Sequence, residues 1–253
     1  MTNGTVCDVA TIARIDHTEA MAIAAVENAK FGAQLRSLDD TDWSRPTDCT
    51  LWDVRALAAH VVGSAASQAS PREFFRQKRQ GKPIVAEIGA QYWWDGMNQL
   101  QVREREQLTP AELIAEWDVI SLKAVKSRAG LPRPIAALPL LALPEPVGRQ
   151  SLRYLFDVGF TRDVWAHRID IAQATGKDLD LDAGHDGRLL ADLIAEWAGT
   201  HGEPFVLELS GPAGGTFESG TGGERVEMDA IQFVRILAER AEGPGILQHH
   251  LPL

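Results

Sequence analysis

Two residues in the stretch RDVWAHRID raise the first chemical question, because Asp163 and His167 stand four apart. On a helix that spacing sends both side chains off one face a turn apart, where a carboxylate oxygen and an imidazole nitrogen can converge on one cation. The same spacing serves an ordinary surface hydrogen bond, so the pair alone does not define a site. His60 supplies a third donor. It lies among Leu57, Ala58, Ala59, Val61 and Val62, a small apolar helical run in which an imidazole needs a polar partner, as a core histidine or as a ligand. Two histidines and one carboxylate from two bundle helices make a three-ligand set with a position left for water or thiolate, the arrangement of catalytic zinc.

Around these stand residues with two readings each. Asp170 falls one turn beyond His167 and either orients its second ring nitrogen or is surface charge. Cys49 either packs beside Trp52 or is a reactive thiol. Trp93 and Trp94 bury in the bundle or line a ligand cleft. His249 and His250 form a chelating pair on paper, but at the end of the sequence they read as exposed and unstructured. His17, His185 and His201 fall near helix ends, where capping or solvent is the ordinary environment.

The elements that must position them are mainly helices. His17 to Leu38 is proline-free and alanine-rich with apolar residues at helical spacing, which predicts helix one. Thr50 with Asp53 resembles a capping box, placing the start of helix two near Leu51, with Pro71 breaking it or opening another turn. A third helical stretch surrounds Tyr92 to Glu106, and Thr109–Pro110 makes an N-cap and first-turn pair for a fourth, to about Arg128. Five prolines between Gly130 and Gly148 exclude one uninterrupted helix and leave either a connector or a pocket wall. Ser151 to Gly176 reads as a long helix capped by Gly176. The acidic, turn-rich KDLDLDAGHDG marks a domain boundary. Beyond it come an amphipathic helix in HDGRLLADLIAEWAGTHG, an alternating strand in FVLELSG, glycine-punctuated strands and a last helix in AIQFVRILAER. The glycines from Gly211 to Gly223 lack the Gly-Lys-Ser/Thr ending of a phosphate loop and read as hairpin turns.

Composition narrows the class. With 45% hydrophobic and 24% charged residues the 253-residue chain is a folded globular protein. Its 25 basic against 35 acidic residues give a net charge of −10, a field that repels nucleic-acid phosphates and anionic membranes. No apolar run approaches the roughly 18 residues of a membrane span and no secretory leader is visible, so a cytoplasmic location is expected. Two cysteines, Cys7 and Cys49, cannot make a disulfide framework for this length.

Two blocks then carry a resemblance. DWSRPTDCTLWDVRALAAHVVG, from Asp42 to Gly63, and DVWAHRIDIAQATG, from Asp163 to Gly176, together resemble the mycothiol-dependent maleylpyruvate isomerase family of DinB-like metal-binding bundles. The likeness extends to the tail, where VLELSG and ILAERAEG look like that family's C-terminal module. It implies a mostly α protein: a DinB-like four-helix bundle over residues 1–180, then a smaller α+β, sterol-carrier-like domain over 181–253. It also implies a divalent metal, zinc by preference, on His60, Asp163 and His167, with mycothiol as thiol cosubstrate and Arg240 near a position used for substrate or thiol. The characterised isomerase type has a glutamate where this chain has Asp163, one methylene shorter. The implied activity is an isomerase or S-transferase acting on a small electrophilic substrate, in which thiolate adds to an activated double bond. The alternative from another class is a non-catalytic protein that binds a hydrophobic small molecule and keeps the metal site as a structural or vestigial feature.

Overall fold

The computed structural model describes residues 6–251. Its first half is helical after a short strand β1 (Cys7–Asp8): α1 (His17–Ser37), α2 (Val54–Ala69), α3 (Pro71–Glu87), α4 (Trp93–Glu104) and α5 (Pro110–Ala129). There follow α6 (Arg133–Ala136), β2 (Leu141–Ala142), β3 (Arg149–Gln150), α7 (Leu152–Tyr154) and α8 (Phe160–Thr175). The remainder is α9 (Asp186–His201), β4 (Phe205–Ser210), β5 (Gly215–Ser219), β6 (Glu224–Asp229) and α10 (Ala230–Leu237). The protein is mostly α with a smaller α+β part. Among the described residues no helix is long and apolar enough to cross a membrane.

The described residues form two compact units. One holds His17–Ile135 and His167–Asp178; the other holds the residues up to Asp16, Ala136–Ala166 and those from Leu179 onward. In the helical unit α2 packs against α3, α4 and α5, and α1 packs on α5. Nearly every residue of α2 is buried, which its alanines and valines allow, since an all-apolar helix belongs inside a bundle. Phe31, Leu35, Leu57, Leu113 and Trp117 are closed from solvent, each worth roughly 1.5–3 kcal/mol of burial for an aliphatic or Phe side chain. Phe31 meets Trp117 edge-on, ring centroids 4.8 Å apart.

One local expectation is corrected here. Helix α2 begins at Val54, and its cap is Asp53, whose carboxylate accepts from the Ala56 N–H at 2.7 Å. Thr50 does not form the capping box. Pro71 opens a full helix, α3, with Ser70 as its cap. By contrast Thr109 and Glu112 do form the reciprocal box that starts α5.

The other unit is built on a four-stranded sheet ordered β1-β5-β4-β6, with β4 antiparallel to β5 and parallel to β6, and β1 parallel to β5. Trp197 of α9 is fully buried against Phe205 and Phe233, at centroid distances of 5.0 and 5.4 Å. Buried Arg162 donates to Asp192 at 2.7 Å and Glu196 at 2.5 Å. Burial raises the Tyr154 phenol above its ordinary pKa, so it stays neutral and donates to Glu196 at 2.7 Å. The proline-rich stretch is more ordered than a bare connector: it holds the short α6 and one strand of the antiparallel β2–β3 pair, Leu141 opposite Gln150. From Ser151 the chain is helical through α7, a π-helical turn at Leu155–Gly159 and α8. Gly176, at φ +69°, then ends α8 with its N–H on the Ala172 carbonyl.

Candidate functional site

Helix α2 carries His60 and helix α8 carries Asp163 and His167, and their donor atoms come together. One ligand atom from each of the three lies within 4.8 Å of the other two. His60 and His167 are buried, at 3% and 5% exposure, while Asp163 is partly exposed. The two imidazoles meet at right angles with ring centroids 5.1 Å apart. Trp52, in the loop before α2, stacks on His60 with ring centroids 4.9 Å apart and donates its indole N–H to Gln99.

Each histidine is held through Nδ1. Asp170 Oδ2 accepts from His167 Nδ1 at 2.9 Å, which makes Nε2 the lone-pair nitrogen of the neutral ring and settles Asp170 as an orienting acceptor rather than surface charge. The same carboxylate oxygen accepts from the Cys49 thiol at 3.5 Å. Cys49 thus stands with Asp170 and His167 in a second group of converging donors, and it also lies beside Trp52, whose backbone N–H donates to its carbonyl at 2.7 Å. His60 Nδ1 lies 2.8 Å from Gln101 Oε1 on α4, and Gln101 Nε2 donates to Gln77 Oε1 on α3, also at 2.8 Å. Gln77 donates in turn to the Gly63 carbonyl and to Glu73. An Arg76 hydrogen bond is the main cause holding the Glu73 carboxyl below its usual pKa.

Gly63, one turn after His60, is what lets α4 come close enough. A methyl group on it would sit 2.5 Å from Gln101 Cβ, a distance no packed carbon tolerates. A glycine inside a helix costs roughly 1 kcal/mol against alanine, so its place three residues after a buried histidine was the one sequence signal for this approach. Gln101 and Gln77 left no such signal, since glutamines on a mixed helix face look like solvent contacts.

The remaining candidates fall elsewhere. Arg240 follows α10 in the sheet-bearing unit, where Nη1 donates to the Ala238 carbonyl at 2.7 Å. Trp94 stacks on Tyr92 and Trp93 lies edge-on to Phe74 with the Lys78 ammonium over its ring. His249 is not unstructured: its ring stacks on His201 at 4.8 Å and Nε2 meets Glu203 at 3.1 Å. His250 lies 3.5 Å from Glu239. His17 opens α1 and bonds the Ala129 carbonyl, and His185 stands at the start of α9.

A helical bundle bearing two buried histidines and a carboxylate, both rings oriented through their far nitrogens, defines a class: bundle proteins with a candidate divalent-metal centre. The profile described as mycothiol maleylpyruvate isomerase N-terminal domain matches residues 24–172, more than half of the sequence. The chain belongs to that family. Two solved structures share the fold, crystal structures of the mycothiol-dependent maleylpyruvate isomerase and of a point mutant of it. Each is 17% identical, with a TM-score of 0.56 and 89% of this chain aligned to 90% of the other. No curated protein matches the sequence.

Proposed function

We propose that this chain is a metal- and mycothiol-dependent isomerase or S-transferase that acts on a small electrophilic substrate in the cytoplasm. The carrying observation is the convergence of His60, Asp163 and His167 within 4.8 Å in a member of a family described by mycothiol and maleylpyruvate isomerisation. The donor set suits zinc: two imidazole nitrogens and a carboxylate oxygen, with a coordination position to spare. A divalent ion bound there supplies thiol activation, since a free thiol of pKa about 8.5 is only a few per cent thiolate at neutral pH and coordination deprotonates it.

The chain's own groups do the rest. Asp170 and Gln101 hold the two rings, Trp52 covers one face of His60, and the burial of both imidazoles excludes water from them, which strengthens their electrostatic hold on a cation. Because the nucleophile comes from outside, neither cysteine is required. Arg240 is assigned to an anionic group of the substrate or thiol. The module that performs the chemistry is residues 1–180, and 181–253 form the appended C-terminal domain.

The test is turnover of maleylpyruvate, and thiol conjugation of other small electrophiles, by protein loaded with zinc and supplied with mycothiol. Activity should need both additions, should vanish in His60→Ala, and should show a raised KM with a largely retained kcat in Arg240→Ala. Turnover that survives chelation and needs no added thiol would overturn the reading. Tight binding of an apolar ligand with no thiol chemistry would replace it with a binding protein.

A further inference from the structure

We infer that Gln101, locked by Gln77, is a positioning residue that fixes the His60 proton on Nδ1 and so reserves Nε2 for a cation. A glutamine amide can present either its oxygen or its NH2, and only its neighbours decide which. Here the decision starts from groups that cannot change sign. The Gly63 carbonyl only accepts, and it takes a hydrogen bond from Gln77 Nε2 at 3.1 Å; the Glu73 carboxylate takes another at 2.9 Å. Gln77 must therefore turn its oxygen toward Gln101, which must donate its NH2 at 2.8 Å. Gln101 is left with its oxygen toward His60 Nδ1, also at 2.8 Å, and an amide oxygen only accepts. The Nδ1 must then carry the hydrogen.

Gln77, Gln101 and His60 are 0%, 2% and 3% exposed, so water is not at hand to replace any link, and a reversed amide would set two donors or two acceptors face to face. The relay also depends on the close approach of α4 at Gly63, where even a methyl group would collide with Gln101. The two histidines of the site are thus oriented by different chemistry: a carboxylate for His167 and a directional amide chain for His60. The inference deepens the proposed metal site and rests on it only for the role of Nε2; the tautomer itself does not.

Zinc-free protein labelled with 15N-histidine gives the direct test, by two-bond proton–nitrogen correlation, with the His60 signals identified by their loss in His60→Ala. Wild type should show a protonated Nδ1 and an unprotonated Nε2. In Gln101→Leu the hydrogen should redistribute toward Nε2, and in Gln77→Leu, which unlocks Gln101 without removing it, a mixture should appear. Zinc affinity, measured by competition with a chromogenic chelator, should fall about 10 to 100-fold in Gln101→Leu, the usual loss for a group that orients a metal ligand. Gln101→Glu should keep the Nδ1–H tautomer, because a carboxylate also only accepts, while losing stability, since its second oxygen then faces the Gln77 oxygen; a merely structural role would not keep the tautomer in glutamate and lose it in leucine. A wild-type Nε2–H tautomer, or Gln101→Leu with unchanged tautomer and affinity, would overturn the inference. A wild type with the Nδ1 hydrogen but no zinc binding would refute the metal function and leave the tautomer lock standing.

Discussion

Asp170 accepts from both His167 and Cys49, and this shared oxygen predicts a graded mutational series. His167→Ala removes a ligand and should abolish high-affinity zinc binding, whereas Asp170→Ala removes only the group that orients it and should cost about 10 to 100-fold. Cys49→Ser should retain affinity and activity, because a hydroxyl donates to the same carboxylate. Loss of turnover in Cys49→Ser with zinc still bound would mean that the protein carries its own nucleophile. At this scale the sequence was informative about ligand candidates and silent about their supports. Asp163 and His167 announce themselves by spacing on one helix, and His60 by its apolar neighbours. The partner of His60, Gln101, sits 41 residues away on α4 and is itself bonded to Gln77 on α3, and such contacts exist only once helices pack.

Among the elements, α1 and α5 were legible because alanine-rich periodicity and a Thr109–Pro110 cap pair speak locally. Helix α3 was hidden: PREFFRQKRQGKPIVAE is polar, with Gly81 and Pro83 inside it, and it is stabilised by tertiary packing. Gly81 and Gly96 let α3 and α4 touch backbone to backbone, for a methyl group on Gly96 would lie 2.2 Å from the Gly81 carbonyl oxygen. The start of α2 was misplaced by three residues because Thr50 and Asp53 both have capping chemistry, and only the backbone path shows which one the helix uses. The two can be separated by experiment. Asp53→Ala should lower stability by about 0.5–2 kcal/mol, the normal range for a lost N-cap, and Thr50→Ala should change it little. Denaturant unfolding followed by circular dichroism would show the difference, and equal losses would restore the Thr50 cap. Gly63→Ala belongs to the same scale. Separating α2 from α4 should cost about 1–3 kcal/mol as an overpacked contact and weaken zinc binding as well, whereas Asp53→Ala should leave zinc affinity intact.

Over the whole molecule, sequence order and compactness divide the chain differently. The acidic segment near residue 180 marks a change of composition, while contacts group β1 and residues 136–166 with the sheet-bearing unit, since β1 completes its edge beside β5 and Arg162 is tied to Asp192 and Glu196. A two-residue strand and a buried ion cluster have no periodicity to read. The metal proposal makes its own prediction at this scale. A ligand that binds only the folded chain stabilises it by RT ln(1 + [L]/Kd), about 2.7 kcal/mol at one hundred times Kd. For a chain of this size that is a rise in melting temperature of roughly 5–11 °C. The donors lie on α2 and α8, far apart in sequence, so an unfolded chain does not assemble them and the linkage acts on the folded state. Zinc should therefore raise the melting temperature in proportion to the logarithm of its excess, and a chelator should reverse the rise. His60→Ala should melt at the same temperature with or without the metal. A wild-type melting temperature indifferent to zinc across that concentration range would show that His60, Asp163 and His167 do not act together as a ligand set, however closely their donor atoms converge.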